Sequence, residues 1–428
     1  MRRTLLKAAL AGTTALVAGA LAVETVEAGG FAIREQSAQF QGSSFAGSAA
    51  GGGLSSMYWN PAALGEAGSG LTSESHFSAI FGQSQMTVDA INGFPPGFVF
   101  PGASPNSGDV ASPAIVGSSY YAYRLNDRLT LGMSMNSGFG LTTKPRDPFY
   151  AGAELGRTTK LFTINATPTL AYQIAPGITI GAGVQVQYAR AKLSFALGTP
   201  GAPSATFDEA DDIAFGATAG ILFQPAAGTS IGIGYRSQIT HDLEGVFRIP
   251  GPDIPNVTAE LNLPDIVTLS FRQAIAANMR LLGTIEWSNW SRFQQLVLQG
   301  VPGIGPVPAN WSDGWYFALG GEYDYSEAIT LRAGAGYEIS PVDNPTSRFT
   351  SIPDADRVWL SAGASVKLTE TMSADVAYTH VFIENADFDR IGPLSGLNYT
   401  GSAESQVDII SASLKMRWGA SPPLEPLK

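Results

Sequence analysis

In QVDIISASLKMRW, residues 406–418, the even positions Ile410, Ala412, Leu414, Met416 and Trp418 are apolar, while Ser411, Ser413, Lys415 and Arg417 between them are polar or charged. A period of two sends successive side chains to opposite faces of an extended chain, so this strand has one greasy face and one charged face. The same division recurs in VWLSAGASVKL, residues 358–368, and in ITLRAGAGYE, residues 329–338. These runs exceed the five or six residues usual in a soluble strand. They match the roughly 9–11 residues that a tilted strand needs to cross a bilayer.

Outward from these strands the chain is punctuated regularly. Short turns fall near residues 126, 176, 227, 277, 326 and 370. Longer Pro- and Gly-rich connections lie between them, at about 87–112, 142–157, 195–210, 243–257, 292–310, 341–355 and 384–403. Six turns and seven loops make thirteen links, hence fourteen strands. An even number of antiparallel strands, with short turns at one rim and long loops at the other, predicts an all-β fold, a 14-stranded transmembrane β-barrel. Closure satisfies every backbone group, which lipid demands, and leaves no sheet edge. A kelch-type propeller also repeats near 50 residues, but it places four short strands in each period instead of two long ones.

The composition agrees. The chain has 428 residues, 44% hydrophobic and only 14% charged, with 49 Gly, no Cys and a net charge of −11. Structural disulfides are excluded, and the acidic balance argues against nucleic acid. Residues 1–28 read as an export signal, with Arg2, Arg3 and Lys7 ahead of an apolar run and a small-residue site ending at Ala28. No later stretch offers about 18 consecutive apolar residues for a helical span. The expected location is therefore the outer membrane of a Gram-negative bacterium. Tyr120, Tyr121 and Tyr123 near a turn, and Trp418 at the end of the last strand, are expected at the lipid–water interface. A terminal aromatic of this kind suits recognition by barrel-assembly machinery. Residues 419–428 are expected to form a disordered periplasmic tail.

Residues 29–69 do not alternate, so they do not belong in the wall of the 70–418 barrel. Asn60 suits a helix N-cap and Pro61 the first helical position, where a missing N–H costs nothing. A 14-stranded barrel has a lumen too wide for wall side chains to fill, and the economical placement of this segment is inside it, as a plug. Here the sequence resembles the FadL family of long-chain fatty acid and aromatic hydrocarbon transporters. The resemblance rests on GGFAIREQSAQFQGSSFAGSAA and MYWNPAAL in the plug, then MSMNSGFGLTTKP, FYAGAELGRTTKL and QYARAKLSF, in that order. Beyond residue 200 only the strand and turn pattern supports it.

The resemblance implies a hatch-plugged barrel, working as a monomer, that captures hydrophobic small molecules between its outer loops. It passes them near the hatch start and releases them sideways through a gap beside a kinked third strand. The candidate ligand-binding residues are then Phe31, Phe94, Phe98, Phe100, Phe139, Arg190 and Lys192. The hatch motif is Asn60, Pro61 and Ala62, with a cap and wall hydrogen bonds as the expected role of Asn60. Gly138 and Gly140 mark the kink, since glycine weakens a strand and accompanies bulges. Large apolar residues in the loop NGFPPGFVFPG, residues 92–102, need a cover or a use. Fatty-acid transporters of the family hold the ligand carboxylate with basic residues, one expected just after YARAK, where this chain has LSFAL. Arg190 and Lys192 share one face, expected to point into the lumen. A less basic pocket favours neutral hydrocarbons over fatty acids.

Catalytic chemistry is thin: His76, His241 and His380 are the only histidines, and no serine–histidine pair or metal-ligand spacing stands out. No enzyme activity, cofactor or metal is expected. DEADD, residues 208–212, reads as a solvated loop, with bridging to lipopolysaccharide through divalent ions as the other use. A porin for small polar solutes is the competing function, and a plug argues against it.

Overall fold

The computed structural model describes residues 30–92 and 100–418. The export signal, the tail after Trp418, and Phe94 and Phe98 lie outside the described residues. Fourteen antiparallel wall strands follow in order: β1 (Leu71–Ile91), β2 (Ala114–Arg124), β3 (Leu129–Asn136 and Gly140–Thr143), β4 (Thr158–Ala175), β5 (Ile178–Ala196), β6 (Ser204–Ala226) and β7 (Thr229–Arg236 and Ile239–Arg248). They continue as β8 (Ile254–Leu263 and Ile266–Ala276), β9 (Met279–Ser288), β10 (Gly314–Asp324), β11 (Ile329–Ile339), β12 (Arg357–Thr369), β13 (Met372–Ile383 and Ala386–Ile391) and β14 (Asn398–Trp418). Each strand pairs with its sequence neighbour, and β14 pairs with β1 from Leu71↔Trp418 to Ile91↔Tyr399, which closes the barrel.

The alternation read from the sequence sets the two faces. Ile221, Leu319, Val376 and Ile410 are half or more exposed on the outside, while Ser270, Thr284, Glu322 and Asp375 are buried on the lumen side. That is the pattern of a wall with lipid outside and a filled, polar interior. Tyr120 departs from the expectation of an interfacial belt. It is fully buried and faces the lumen, because it falls on the inward phase of β2, whereas Tyr123 faces out.

Several of the long loops are shorter than expected, because their strands run on beyond the length of a crossing, while those at 292–310 and 341–355 keep or exceed their expected span. β6 has 23 residues and β1 has 21, about twice what a crossing needs. The connection expected at 195–210 shrinks to 197–203. DEADD is therefore corrected from a loop to part of β6, where Asp208 pairs with Lys192 at 2.6 Å.

Residues 30–70 fill the lumen with one helical turn, α1 (Ala38–Gln41), and two 3-10 turns, Leu54–Tyr58 and Pro61–Glu66. Ser37 caps α1 by accepting the Phe40 N–H. Asn60 caps the last turn by accepting the Ala62 N–H at 3.0 Å, and its Nδ2 donates to Ala49 O at 2.8 Å and to Ile221 O of β6 at 3.0 Å. Wall glycines admit this backbone. A Cβ at Gly234 would collide with the Trp59 carbonyl, and one at Gly232 with that of Ala49.

Candidate functional site

The wall is incomplete between β2 and β3. Their ladder runs from Arg124↔Thr130 to Ser119↔Met135 and stops. Above it, residues 114–118 of β2 pair only with β1. β3 leaves the sheet at residues 137–139 and resumes at Gly140, paired with Phe162 of β4. Asn136 pairs with Asn165 and Gly140 with Phe162, so four steps on β3 oppose three on β4. The kink is a one-residue bulge. Thr163 serves the residue thrown out of the ladder: its hydroxyl accepts the Phe139 N–H at 3.2 Å and donates to the Phe139 carbonyl at 2.6 Å.

The hatch start closes this gap from inside as a short strand. Ile33 N–H donates to Gly138 O and Gly140 N–H to Phe31 O, both at 2.9 Å, around an antiparallel bridge from Ala32 to Phe139. Gln36 ties the other edge, its carbonyl accepting from Ser118 Oγ at 2.8 Å and Tyr120 Oη at 2.9 Å, both on β2. Its side-chain amide donates to Ser137 O at 2.5 Å. One strip of hatch therefore holds both lips.

Two charges next to this strip differ in fate. Arg34 donates to Glu286 at 2.7 Å and Glu338 at 3.3 Å, with its guanidinium 3.8 Å above the Tyr316 ring. Glu35 is buried, its Oε2 has no hydrogen-bond partner, and burial pushes its carboxyl up to about 7.

Phe31 points into an aromatic nest, with ring centroids 4.7 Å from Trp290, 5.8 Å from Phe293 and Trp311, and 6.3 Å from Phe139. The apolar cluster is continuous from Phe31 and Phe139 through Leu161, Phe207 and Phe247 to Leu298 and Val301 in the β9–β10 connection. At its outer end lies a small cavity of ≈ 90 Å³ lined by Leu193, Phe195, Leu298, Ile304, Phe349 and Arg390. The Arg390 guanidinium lies 4.6 Å from the Phe349 ring centre and donates to the Thr346 and Pro308 carbonyls.

Of the sequence candidates, Phe31, Phe139, Gly138 and Gly140 meet at the gap. Asn60, Pro61 and Ala62 lie at the seat of the hatch. Phe100 packs elsewhere, against the cluster of Met86, Val110 and Tyr150. Arg190 and Lys192 are corrected from the lumen to the outer face, since they share the outward phase of β5 with Val184 and Ile180. Trp290, Phe293 and Trp311 escaped the sequence reading. Their signal was the aromatic density of WSNWSRF and NWSDGWYF, residues 287–293 and 310–317, around a long connection.

Known proteins share this architecture. A Pseudomonas aeruginosa FadL homologue superposes with a TM-score of 0.80 at 23% identity, covering 90% of this chain and 99% of that one. The Pseudomonas putida toluene transporter TodX gives 0.63 at 16% identity, over 85% and 94%. These likenesses show the fold. In sequence, the long-chain fatty acid transport protein of Escherichia coli O6:H1 is 28% identical over 67% of this chain and 74% of its own length. The 47 kDa outer membrane protein of Pasteurella multocida is 27% identical over 86% and 91%. The family described as outer membrane protein transport protein (OMPP1/FadL/TodX) matches residues 19–418, so the chain belongs to that family of outer-membrane transporters.

Proposed function

We propose that this barrel takes up hydrophobic molecules passively, long-chain fatty acids, alkanes or aromatic hydrocarbons, by loop capture, movement of the hatch start and sideways release between β2 and β3. The observation that carries this reading is that the hatch start is itself the closure of the gap, bonded to β3 at Gly138 and Gly140 and to β2 through Ser118 and Tyr120. The Phe31 side chain on that strip also forms the inner end of the apolar cluster, so a molecule displacing Phe31 pulls on the stopper. Sideways release is favoured because hydrocarbon surface gains roughly 25 cal/mol per Å² on leaving water for the bilayer. Relatives named for long-chain fatty acids and for toluene agree with the class without choosing within it. One chain forms both pocket and gap, so a monomer suffices.

Deleting Gly138 tests the exit, because it removes the extra step and lets β3 run in register against β4 while the pairing from Gly140 upward stays as it is. Cells carrying this variant at wild-type level in the outer membrane are expected to lose most uptake of radiolabelled oleate and toluene. Unchanged uptake would remove the exit from this wall.

A further inference from the structure

The wall has a second seam, between β6 and β7. Their ladder ends at Thr218↔Arg236 and resumes only at Asp211↔Glu244, so neither residues 212–217 of β6 nor 237–243 of β7 take part in it. One hydrogen-bonded pair bridges the lower end, where Ser237 N–H donates to Ala217 O at 2.8 Å and Ala217 N–H to Ser237 Oγ at 2.9 Å. Backbone groups alternate along a strand, so those of Ile213 and Phe215 face β7 as those of Ala217 do, and the ladder gives them no partner there. Such groups are expensive at the edge of a hydrocarbon layer. Ile213 and Phe215 also stand out from the wall, 59% and 68% exposed.

What closes the seam is side chains. Ile239 fills it from the lumen, its Cγ1 2.7 Å from where a Cβ on Gly216 would sit. Above it, Asp212 accepts from the Asp242 N–H at 3.3 Å and pairs with His241 at 3.0 Å, and the other His241 nitrogen meets Gln187 of β5 at 3.0 Å. Behind these groups, Ile239, Leu243, Ala189 and Ala210 belong to the apolar cluster that contains Phe31 and Phe139. The seam and the β3 kink are joined by one ladder row, Asn136–Asn165–Gln187–Ala214.

We propose that the β6–β7 seam is a second side port for apolar molecules, stoppered by Ile239 and latched by the Asp212–His241 pair. It rests on the reading of sideways release above. It needs no rearrangement of strand pairing, only rotation of one isoleucine and release of Asp212 from His241 and the Asp242 N–H, while β6 stays bonded to β5 and β7 to β8.

The chain has no cysteine, so a disulfide across the seam is a clean test. Gly216 and Ile239 both face inward, and Gly216→Cys with Ile239→Cys brings the two sulfurs within disulfide reach. Uptake of radiolabelled oleate is measured in cells carrying the full chain, with and without the Gly138 deletion, oxidised and then reduced. The expected result is residual uptake in the Gly138 deletion that vanishes when the disulfide forms and returns on reduction. The reduced pair is its own control for folding. If the oxidised and reduced forms transport alike in both backgrounds, the port does not exist. If that happens while the Gly138 deletion alone abolishes uptake, the β2–β3 exit stands and only this inference falls.

Discussion

At the scale of single residues, Glu35 is the group most sensitive to conditions. Burial raises its carboxyl to about 7, against an ordinary value near 4.5, with Arg34 and Arg357 pulling it down and Glu338 pushing it up. A raised carboxyl favours the seated hatch in its protonated form. The hatch contribution is therefore full below about pH 4.5 and is lost as pH rises to about 7. Hydrogen exchange of residues 30–36 is expected to speed up between pH 5 and pH 8, beyond the intrinsic rate, and to lose that excess in Glu35→Gln. An equal excess in the variant would place the pH sensitivity elsewhere. Asn60 acts without titrating: Asn60→Ala removes one cap and two buried hydrogen bonds. Together these amount to about 3 kcal/mol of hatch seating, or about a hundredfold faster exchange across Pro61–Glu66. The Asn60 roles were legible because Asn-Pro is a local signal of a helix start. The outward placement of Arg190 was not, since the phase of a strand is fixed by its register with neighbours, and YARAK sets Tyr188, Arg190 and Lys192 against only two alanines, so neither face is marked as apolar.

At the scale of elements, the fourteen strands were legible from the rhythm of short turns and long loops, with period-two alternation marking their faces, and their ends were not. Alternation reports burial on one face. Above the membrane, where β1, β6 and β14 continue, both faces meet loops or water and the pattern fades. The kink had its glycines in view, yet the bulge is defined by register against β4, which no single strand carries. The hatch start looks like coil in sequence because it is a strand only by virtue of the gap it fills. Ile33→Pro removes the N–H that donates to Gly138 O. Cells with that variant are expected to become more sensitive to a large hydrophobic antibiotic, with barrel level unchanged. Unchanged sensitivity would mean that Gln36 and the Phe31 carbonyl hold the strip without it.

At the scale of the whole molecule, the abundance of glycine and the buried charge have one explanation, a lumen packed with protein. Gly220, Gly232 and Gly234 line the wall where hatch atoms press closest. On another part of the inner wall, Glu322 is shared by Arg272, Arg280 and Arg332 at 2.7 to 3.1 Å, and Asp375 is paired with Lys415 at 3.2 Å. Charges matched to each other and half hidden from water are poorly placed to carry ions. A porin instead keeps its lumen wet. Purified protein in a planar bilayer is therefore expected to pass little steady current at salt concentrations where porins conduct well, while uptake of oleate by cells carrying the same chain persists. Large steady conductance from the intact chain would mean that the hatch leaves an aqueous path, and transport of small polar solutes would then become the better account of this barrel.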